Sequence, residues 1–491
     1  MKKVWMSLLA ILLVAVVAVS LVACSSGGKD GKGDKDVAAK VNPADPKTDV
    51  SVYKSPGGFE TVNKPLTWEA IDAFPIAKDG MTIEEGRALV VDFFRFAKTA
   101  VWIPADDYDY TVKSEGEVKT IVGAVKYGGL PYTSVSSGNI YRLMDYMDPK
   151  TGVVNLENAV NKDSQYDGWK TFGNQCSIGA YWGWGRVINS AAYTWTQGCV
   201  AKNKFIMLGD LQVRDENGKL ISIHDAKRNW SSNTSSKPNN YGTDECMKDN
   251  DPQKIFQAYA LLKKGDGLVY YTTAGHVIMS ATDAVVVYQA DGVTIDPIKS
   301  YIYIIDQGQT WEEMTNEQGD RLSYKGGVDV KKTFFDLMGG NYVPFTYREY
   351  TGEDPVEITK VGLIDKDKNA LISGTISESD RKFVAETNLL KSISLEQLFT
   401  YSATANYGIS DVYAVVHDSK GNEVYKHAVR CSQASTYTLK IAENIAEGKE
   451  VPSVEKWGTM EFAEGETYTV QIILQLSTGE RPTIWEGELV K

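Results

Sequence analysis

The chain has 491 residues and a formal charge of −12, an acidity that argues against nucleic acid and anionic lipid surfaces as electrostatic partners. A hydrophobic content of 43% with 11% aromatic residues excludes a disordered chain. Five cysteines are too sparse for a disulfide framework, and no cysteine pair or group of the four histidines has zinc-site spacing, so neither a metal nor another cofactor is expected.

Lys2 and Lys3 open the chain and an unbroken apolar stretch follows from Val4 to about Val22. A basic start, an apolar run and small residues before a cut define a secretory signal. The Leu21-Val22-Ala23-Cys24 ending resembles the lipobox of bacterial lipoproteins. That resemblance implies a signal peptide over 1–23, cleavage before Cys24, and lipidation of the Cys24 thiol, which anchors an extracytoplasmic protein to the bacterial cell membrane. The apolar run is also just long enough to span a bilayer uncleaved, and the remainder is outside the cell in either case. Residues 24–57 are rich in Gly, Ser and mixed charges, the composition of a flexible tether.

Residues 58–118 read as a helical lead-in. Thr82 and Glu85 have capping-box spacing, and Leu89, Phe93, Phe96, Ala97 and Ala100 repeat at helical intervals until Trp102-Ile103-Pro104. Residues 119–350 are mixed. Helices are predicted over Glu117–Lys126, after Cys176 and over Pro252–Lys264. Strands are predicted at Gly267–Tyr271, His276–Ser280, Val285–Gln289 and Tyr301–Asp306. The polar stretch Asn229–Asp251 reads as a surface loop. Helices first and strands later make the fold class α+β. From 351 to 491 only strands and turns are predicted, at a spacing that suggests an immunoglobulin-like β-sandwich. Within it Asp365-Lys366-Asp367-Lys368-Asn369 copies the start of a calcium loop, but Ile376 occupies the position of the bidentate carboxylate, so a hairpin turn is expected.

Cys176 follows a Gly-Asn loop and begins a small and apolar run through Ile188. A cysteine in the first turn of a helix meets unpaired amides and the positive end of the dipole, which favour the thiolate and can hold an oxyanion. A lone cysteine is more often a buried structural residue, so the weight falls on what accompanies it. Lys264-Gly265-Asp266-Gly267 leads into one strand, and Gly275-His276-Val277-Ile278 opens the next. With Gly129-Leu130-Pro131-Tyr132 upstream, these residues resemble the NlpC-type peptidases, papain-fold cell-wall hydrolases, over about 120–310. The resemblance implies a papain-like domain in which Cys176 is the nucleophile and His276 the base. Tyr132 and Ser177 become candidates at the oxyanion or substrate, and a cell-wall peptide becomes the partner. Two departures stand: Gln175-Cys176-Ser177-Ile178 replaces the family's Asp-Cys-Ser-Gly, and Tyr132 lies far from Cys176, which requires an insertion near Met147–Trp169.

A base histidine needs a polar partner to fix its ring. If Thr282 and Asp283 form a two-residue hairpin loop, Gln289 faces His276 on the same side of the pair. Asp306 and Gln307 are alternatives on a later strand. A transglutaminase-like Cys-His-Asp enzyme would use Asp291 or Asp296, and a non-catalytic binding lipoprotein would keep the domain only as a scaffold. His224, in a polar stretch, reads as a surface histidine, and Trp182 and Trp184 as core. The oligomeric state is not legible.

Overall fold

The computed structural model describes residues 51–54, 60–63, 65–111, 118–133, 140–156, 173–189, 205–226, 229–230, 240–272, 275–308, 314–315, 321–322, 327–398, 400–438, 463 and 465–490. Cys24, the expected leader and the expected tether up to residue 50 lie outside these residues. The end of the expected tether is already structured, since Ser51–Lys54 pairs antiparallel with Glu60–Asn63.

The lead-in contains two helices, α1 (Trp68–Asp72) and α2 (Ile83–Thr99). The capping box closes as its sequence predicts: Glu85 N donates to Thr82 Oγ1 at 3.2 Å, and Thr82 N donates to Glu85 Oε2 at 2.9 Å. Substituting such a cap by Ala costs about 1 kcal/mol. Leu89, Phe93, Phe96, Ala97 and Ala100 are all buried. Strands follow directly, β1 (Val101–Pro104) and β2 (Tyr108–Thr111), so the lead-in is not purely helical.

The helix expected over Glu117–Lys126 is instead strand β3 (Val118–Ile121), paired antiparallel with β2. Val118, Thr120 and Ile121 are β-branched and fit a pleated surface better than a helix. The chain then turns sharply: a Cβ on Gly123 would lie 2.7 Å from the Asp106 carbonyl carbon, and Ala124 has a φ of 56°. After β4 (Tyr127–Gly128) come α3 (Ile140–Asp145), β5 (Val153–Val154) and the helix headed by Cys176, α4 (Cys176–Trp184). Every residue of α4 is buried, Trp182 and Trp184 included.

Beyond strand β6 (Phe205–Met207), the stretch expected as a surface loop holds helix α5 (Thr243–Asp249), which buries Cys246. Polar composition hid it, because its start is stabilised by a Glu245 carboxylate accepting from Gly242 N at 3.1 Å. Helix α6 (Pro252–Ala260) has Pro at its start and an Asp251 cap bonded to Gln253 N at 2.8 Å.

Next come β7 (Gly267–Tyr271), β8 (Gly275–Ser280), β9 (Tyr301–Asp306), β10 (Val330–Thr333), helix α7 (Phe334–Gly339) and β11 (Val343–Tyr347). With β6 they form a six-stranded sheet in the order β10-β9-β8-β7-β11-β6, antiparallel throughout. One hydrophobic cluster joins this sheet to α2 and α4 through Val90, Phe94, Ala180, Trp184, Val277 and Met279. A second, with Phe93, Trp102, Tyr127, Ile178 and Trp182, lies between α2, α4 and the N-terminal strands.

The C-terminal part has eight strands: β12 (Lys360–Ile364), β13 (Ala370–Ile376), β14 (Phe383–Asn388), β15 (Ser392–Ser394), β16 (Ser402–His417), β17 (Glu423–Thr438), β18 (Tyr468–Leu476) and β19 (Thr483–Val490). They share one hydrogen-bonded sheet, curled as a half-barrel, in the order β14-β13-β12-β16-β18-β19-β15, with β17 also on β16. The long β16 bridges its two ends. Its start pairs with β12, and its end pairs with β18 after irregularities near Ile409. A third core, including Leu363, Val412, Ile472 and Trp485, fills the curl. The whole is α+β and mostly strands.

Candidate active site

Three local features bring the site together. Cys176 is the first residue of α4, after an extended Gln175 whose side chain makes no cap bond. The first-turn amides of a helix have no partner within it, so the sulfur sits at a positive helix end. The thiol is free and the residue is 9% exposed. Gly179, one turn on, lets the helix approach β9: a Cβ there would lie 2.7 Å from Gln307 Cβ.

The second feature is the pairing of β7 and β8, in which His276 lies opposite Tyr270. The third is the register of β8 on β9, in which Ile278 faces Asp306. His276 is two residues from Ile278 and therefore on the same face, a diagonal neighbour of Asp306. Their side chains meet, with His276 Nε2 2.8 Å from Asp306 Oδ1. Nδ1 is then the ring nitrogen available to the thiol.

Burial works against a charged imidazole, but the Asp306 carboxylate and then the Cys176 sulfur outweigh it and hold the His276 pKa well above its ordinary value. Asp306 moves the opposite way. Burial pushes its carboxyl up, but His276, then Lys98 and Lys332, bring it below the usual range.

Gln289 is not in this group. The hairpin that would place it opposite His276 does not form, because β8 pairs with β9 instead. After β8 the chain makes an excursion with isolated bridges Val285–Tyr301 and Tyr288–Ile295. Gln289 lies exposed on it, its backbone N–H donating to Thr294 O at 2.7 Å. The turns of the excursion are built by the two other acids considered. Asp291 accepts from Val293 N at 3.0 Å and Thr294 N at 2.9 Å, and Asp296 from Ile298 N at 3.1 Å, so both are turn residues on an exposed loop.

Tyr132 reaches the loop before Cys176 despite the sequence gap. It bridges Asn174, and Asn174 N donates to Pro131 O at 3.0 Å while Thr133 N donates to Asn174 O at 3.1 Å. Gly173, at φ 102°, passes so close that a Cβ would lie 2.3 Å from Pro131 O, an approach open only to glycine. Tyr132 is buried in the same cluster as Cys176, and Ser177 is buried in the first turn of α4. Of the segment Met147–Trp169, expected to loop out, the described part adds β5 beside β1; residues 157–172 lie outside the described residues.

Aromatic side chains line the other flank. Tyr270 lies 5.8 Å from the His276 ring and stands edge-on to Tyr342 at 5.2 Å. Tyr342 has its phenol pushed well up by burial, then by Asp306, Tyr270 and Cys176. Asp266, in the Gly-Asp pair before β7, is not at the site. It is a buried clamp, bonded to Arg87 Nη1 at 2.8 Å and Thr346 Oγ1 at 2.5 Å.

Elsewhere, His224 is exposed with Nε2 at 3.1 Å from Gly209 O. Asp365 accepts from Asp367 N and Asn369 N at 2.9 and 2.8 Å, the geometry of a hairpin turn. No group of three or more His, Cys, Asp or Glu side chains suited to a metal ion occurs among the described residues. Sequence reasoning missed Lys98 and Tyr342. A lysine four residues after Phe94 and seven after Val91 lies on the apolar face of α2, and that is the signal that would have found Lys98. No family model matches the chain, and no curated protein or solved structure is significantly similar to it.

Proposed function

We propose that the chain is an extracytoplasmic cysteine hydrolase that cleaves amide bonds in peptidoglycan peptides from a lipid anchor on Cys24. The observation that carries this reading is a helix-start cysteine whose sulfur acts on a histidine whose far nitrogen is held by a largely buried carboxylate. Each residue alone is commonplace, and the three together suit acyl transfer. The α4 helix packed on an antiparallel sheet, with the sulfur at the helix start and the histidine on a strand, fits a papain-like domain of NlpC type. The C-terminal part, expected as an immunoglobulin-like β-sandwich, is one curled sheet with its own core, and its role in this reading is spacing or binding. Among the described residues no helix is long and apolar enough to cross a membrane.

In the reaction, the Cys176 thiolate attacks the scissile carbonyl and forms a tetrahedral oxyanion held by first-turn amides of α4, with Tyr132 and Ser177 beside them. Protonated His276 gives its Nδ1 proton to the leaving amine, and a thioester remains. His276 then takes a proton from water, hydroxide attacks the thioester, and the thiolate leaves with the histidine protonated again. Asp306 fixes the ring and stabilises its cation throughout. The test is mass spectrometry of cell-wall fragments incubated with the mature chain. New amine and carboxylate ends that vanish with Cys176→Ala support hydrolysis, and unchanged fragments sink it.

Two features keep other readings in play. The acid at Asp306 gives a Cys-His-Asp set, the order of the transglutaminase-like reading, in which an amine replaces water as acceptor. The same fragments answer this, since amide exchange leaves no new carboxylate. The burial of Cys176 favours a binding scaffold, and a thiol inert to alkylation at every pH would establish that.

A further inference from the structure

Lys98 lies in the last turn of α2 and is 3% exposed. Its Nζ donates to Gln307 Oε1 at 2.7 Å. Backbone closes the far side of the slot: a Cβ on Gly327 would lie 2.6 Å from Lys98 Nζ and 2.5 Å from Asp306 O. A buried cation is costly unless paired, and here it stands beside the residues that hold the site.

Gln307 directly follows Asp306 and is itself 1% exposed. Its Nε2 donates to Leu130 O at 3.3 Å and to Asn174 O at 3.2 Å. Those carbonyls belong to the Pro131-Tyr132 segment and to the loop that leads into Cys176. An amide side chain has one accepting oxygen and one donating nitrogen, and an ammonium can only donate. The bond from Lys98 therefore dictates which end of Gln307 faces the two carbonyls. One dipeptide, Asp306-Gln307, thus holds the histidine with its first residue and the nucleophile loop with its second.

We propose that Lys98 is a positioning residue of the Cys176–His276 site: it orients the Gln307 amide that ties down the loop before Cys176, and its charge keeps Asp306 the anionic partner of His276. This rests on reading Cys176 and His276 as a reactive pair. The charged and titratable groups around Asp306 are His276 from β8, Lys98 from α2, Lys332 from β10, Tyr342 ahead of β11 and Cys176 from α4. Burial drives the Lys98 pKa well down and Asp306 opposes it. Without Lys98, Asp306 takes up its proton at higher pH, and His276 loses its anionic partner sooner as the medium is acidified.

The experiment is alkylation of Cys176 by iodoacetamide in the mature full chain across pH, read by mass spectrometry of the Cys176 peptide. Lys98→Met is expected to slow alkylation at neutral pH about tenfold or more, since small misplacements at a reacting pair cost up to about a hundredfold, and to move the acid limb of the profile upward. Lys98→Arg, which keeps a cation and a donor, is expected to leave that limb near wild type. An unchanged limb in a folded Lys98→Met variant, or an equal displacement in both, overturns the proposal. Should Lys98→Met not fold, Gln307→Met decides: it keeps the cation, removes the amide, and is expected to slow alkylation about tenfold without moving the limb. A wild-type rate there also overturns the proposal. Thiol reactivity is read without a substrate, so a chain that obeys these expectations yet cleaves no wall peptide disproves the hydrolase and leaves Lys98 in its role.

Discussion

Replacing Asp306 by Ala removes the carboxylate that lies 2.8 Å from His276 Nε2. Both side chains are largely buried, with 12% of His276 and 25% of Asp306 exposed, so solvent offers little substitute. A hydrogen bond to a charged group in such a place is worth about 1.5–3 kcal/mol. At 1.36 kcal/mol per decade of rate this is about a ten- to a hundredfold loss in kcat/KM. Asp306→Asn keeps the volume and one hydrogen bond but loses the charge, so it is expected to lie nearer the tenfold end. Gln289→Ala, on its exposed turn, is expected to stay within about twofold, as surface substitutions away from a site do. The pH profile carries a second signature. Asp306 raises the His276 pKa, so its loss moves the alkaline limb of activity to lower pH. The assay is kcat/KM for release of amine from a wall peptide, with thermal unfolding run on each variant. Full activity in a folded Asp306→Ala protein, or a larger loss in Gln289→Ala, refutes the assignment of the third role.

Cys176→Ala and His276→Ala are each expected to cost on the order of a thousandfold or more in rate, and the double variant little beyond either, because the pair acts as one unit; additive losses measured in the same assay would argue for separate roles. Arg87→Ala is expected to lower stability by about 3–5 kcal/mol, read from the denaturant midpoint, because it leaves the Asp266 carboxylate buried without its cation; a change within about 1 kcal/mol would mean that Thr346 and the Lys263 amide suffice. His276 also links stability to pH. Its folded pKa lies above the unfolded value near 6.5, so the stability it contributes is complete below about pH 6.5 and is lost as pH rises through the folded pKa. The melting temperature of wild type minus that of His276→Asn should therefore shrink on the alkaline side, and a constant difference would contradict the shift.

What could be read from the sequence was local. The Thr82–Glu85 box is a relation between residues three apart, and the start of α4 at Cys176 follows from a Gly-Asn loop meeting a small apolar run. The strand-turn-strand around His276 likewise announces itself within a dozen residues. The partner of His276 was not legible because strand pairing is a long-range choice. Thr282-Asp283 looks like a hairpin loop, and Val285–Tyr288 looks like its return strand. The native chain spends that segment on an excursion turned by Asp291 and Asp296, and gives the place beside β8 to a strand more than twenty residues on. A change of partner strand replaces every cross-strand neighbour at once, so the error passed straight to Gln289. The helix misplaced at Glu117–Lys126 has the same origin: β2 supplies a partner that propensity alone does not reveal.

The Cys176 helix owes its fixed position to contacts at both ends as well as to its own residues. Gly183 admits α2 so closely that a Cβ would lie 2.6 Å from Val90 O. Just past the helix, Gly185 O accepts from Ser477 Oγ, in the turn after β18, at 2.9 Å, and that bond is buried. Arg186 next in line is fully buried, lies over the Phe93 ring at 4.2 Å, and leaves room for no side chain at Gly479, where a Cβ would fall 1.9 Å from its Nη1. The C-terminal sheet has a core of its own, but the turn after β18 is part of the wall against which the Cys176 helix is set. A second tie runs through Asp145, which accepts from Tyr413 Oη at 2.6 Å and Arg481 Nη2 at 3.0 Å. Reactivity at a helix start depends on where that start is held, to within about an ångström. Two glycines on α4, one just beyond it and one in the turn between β18 and β19 therefore fix where the helix start that carries Cys176 sits, without touching it.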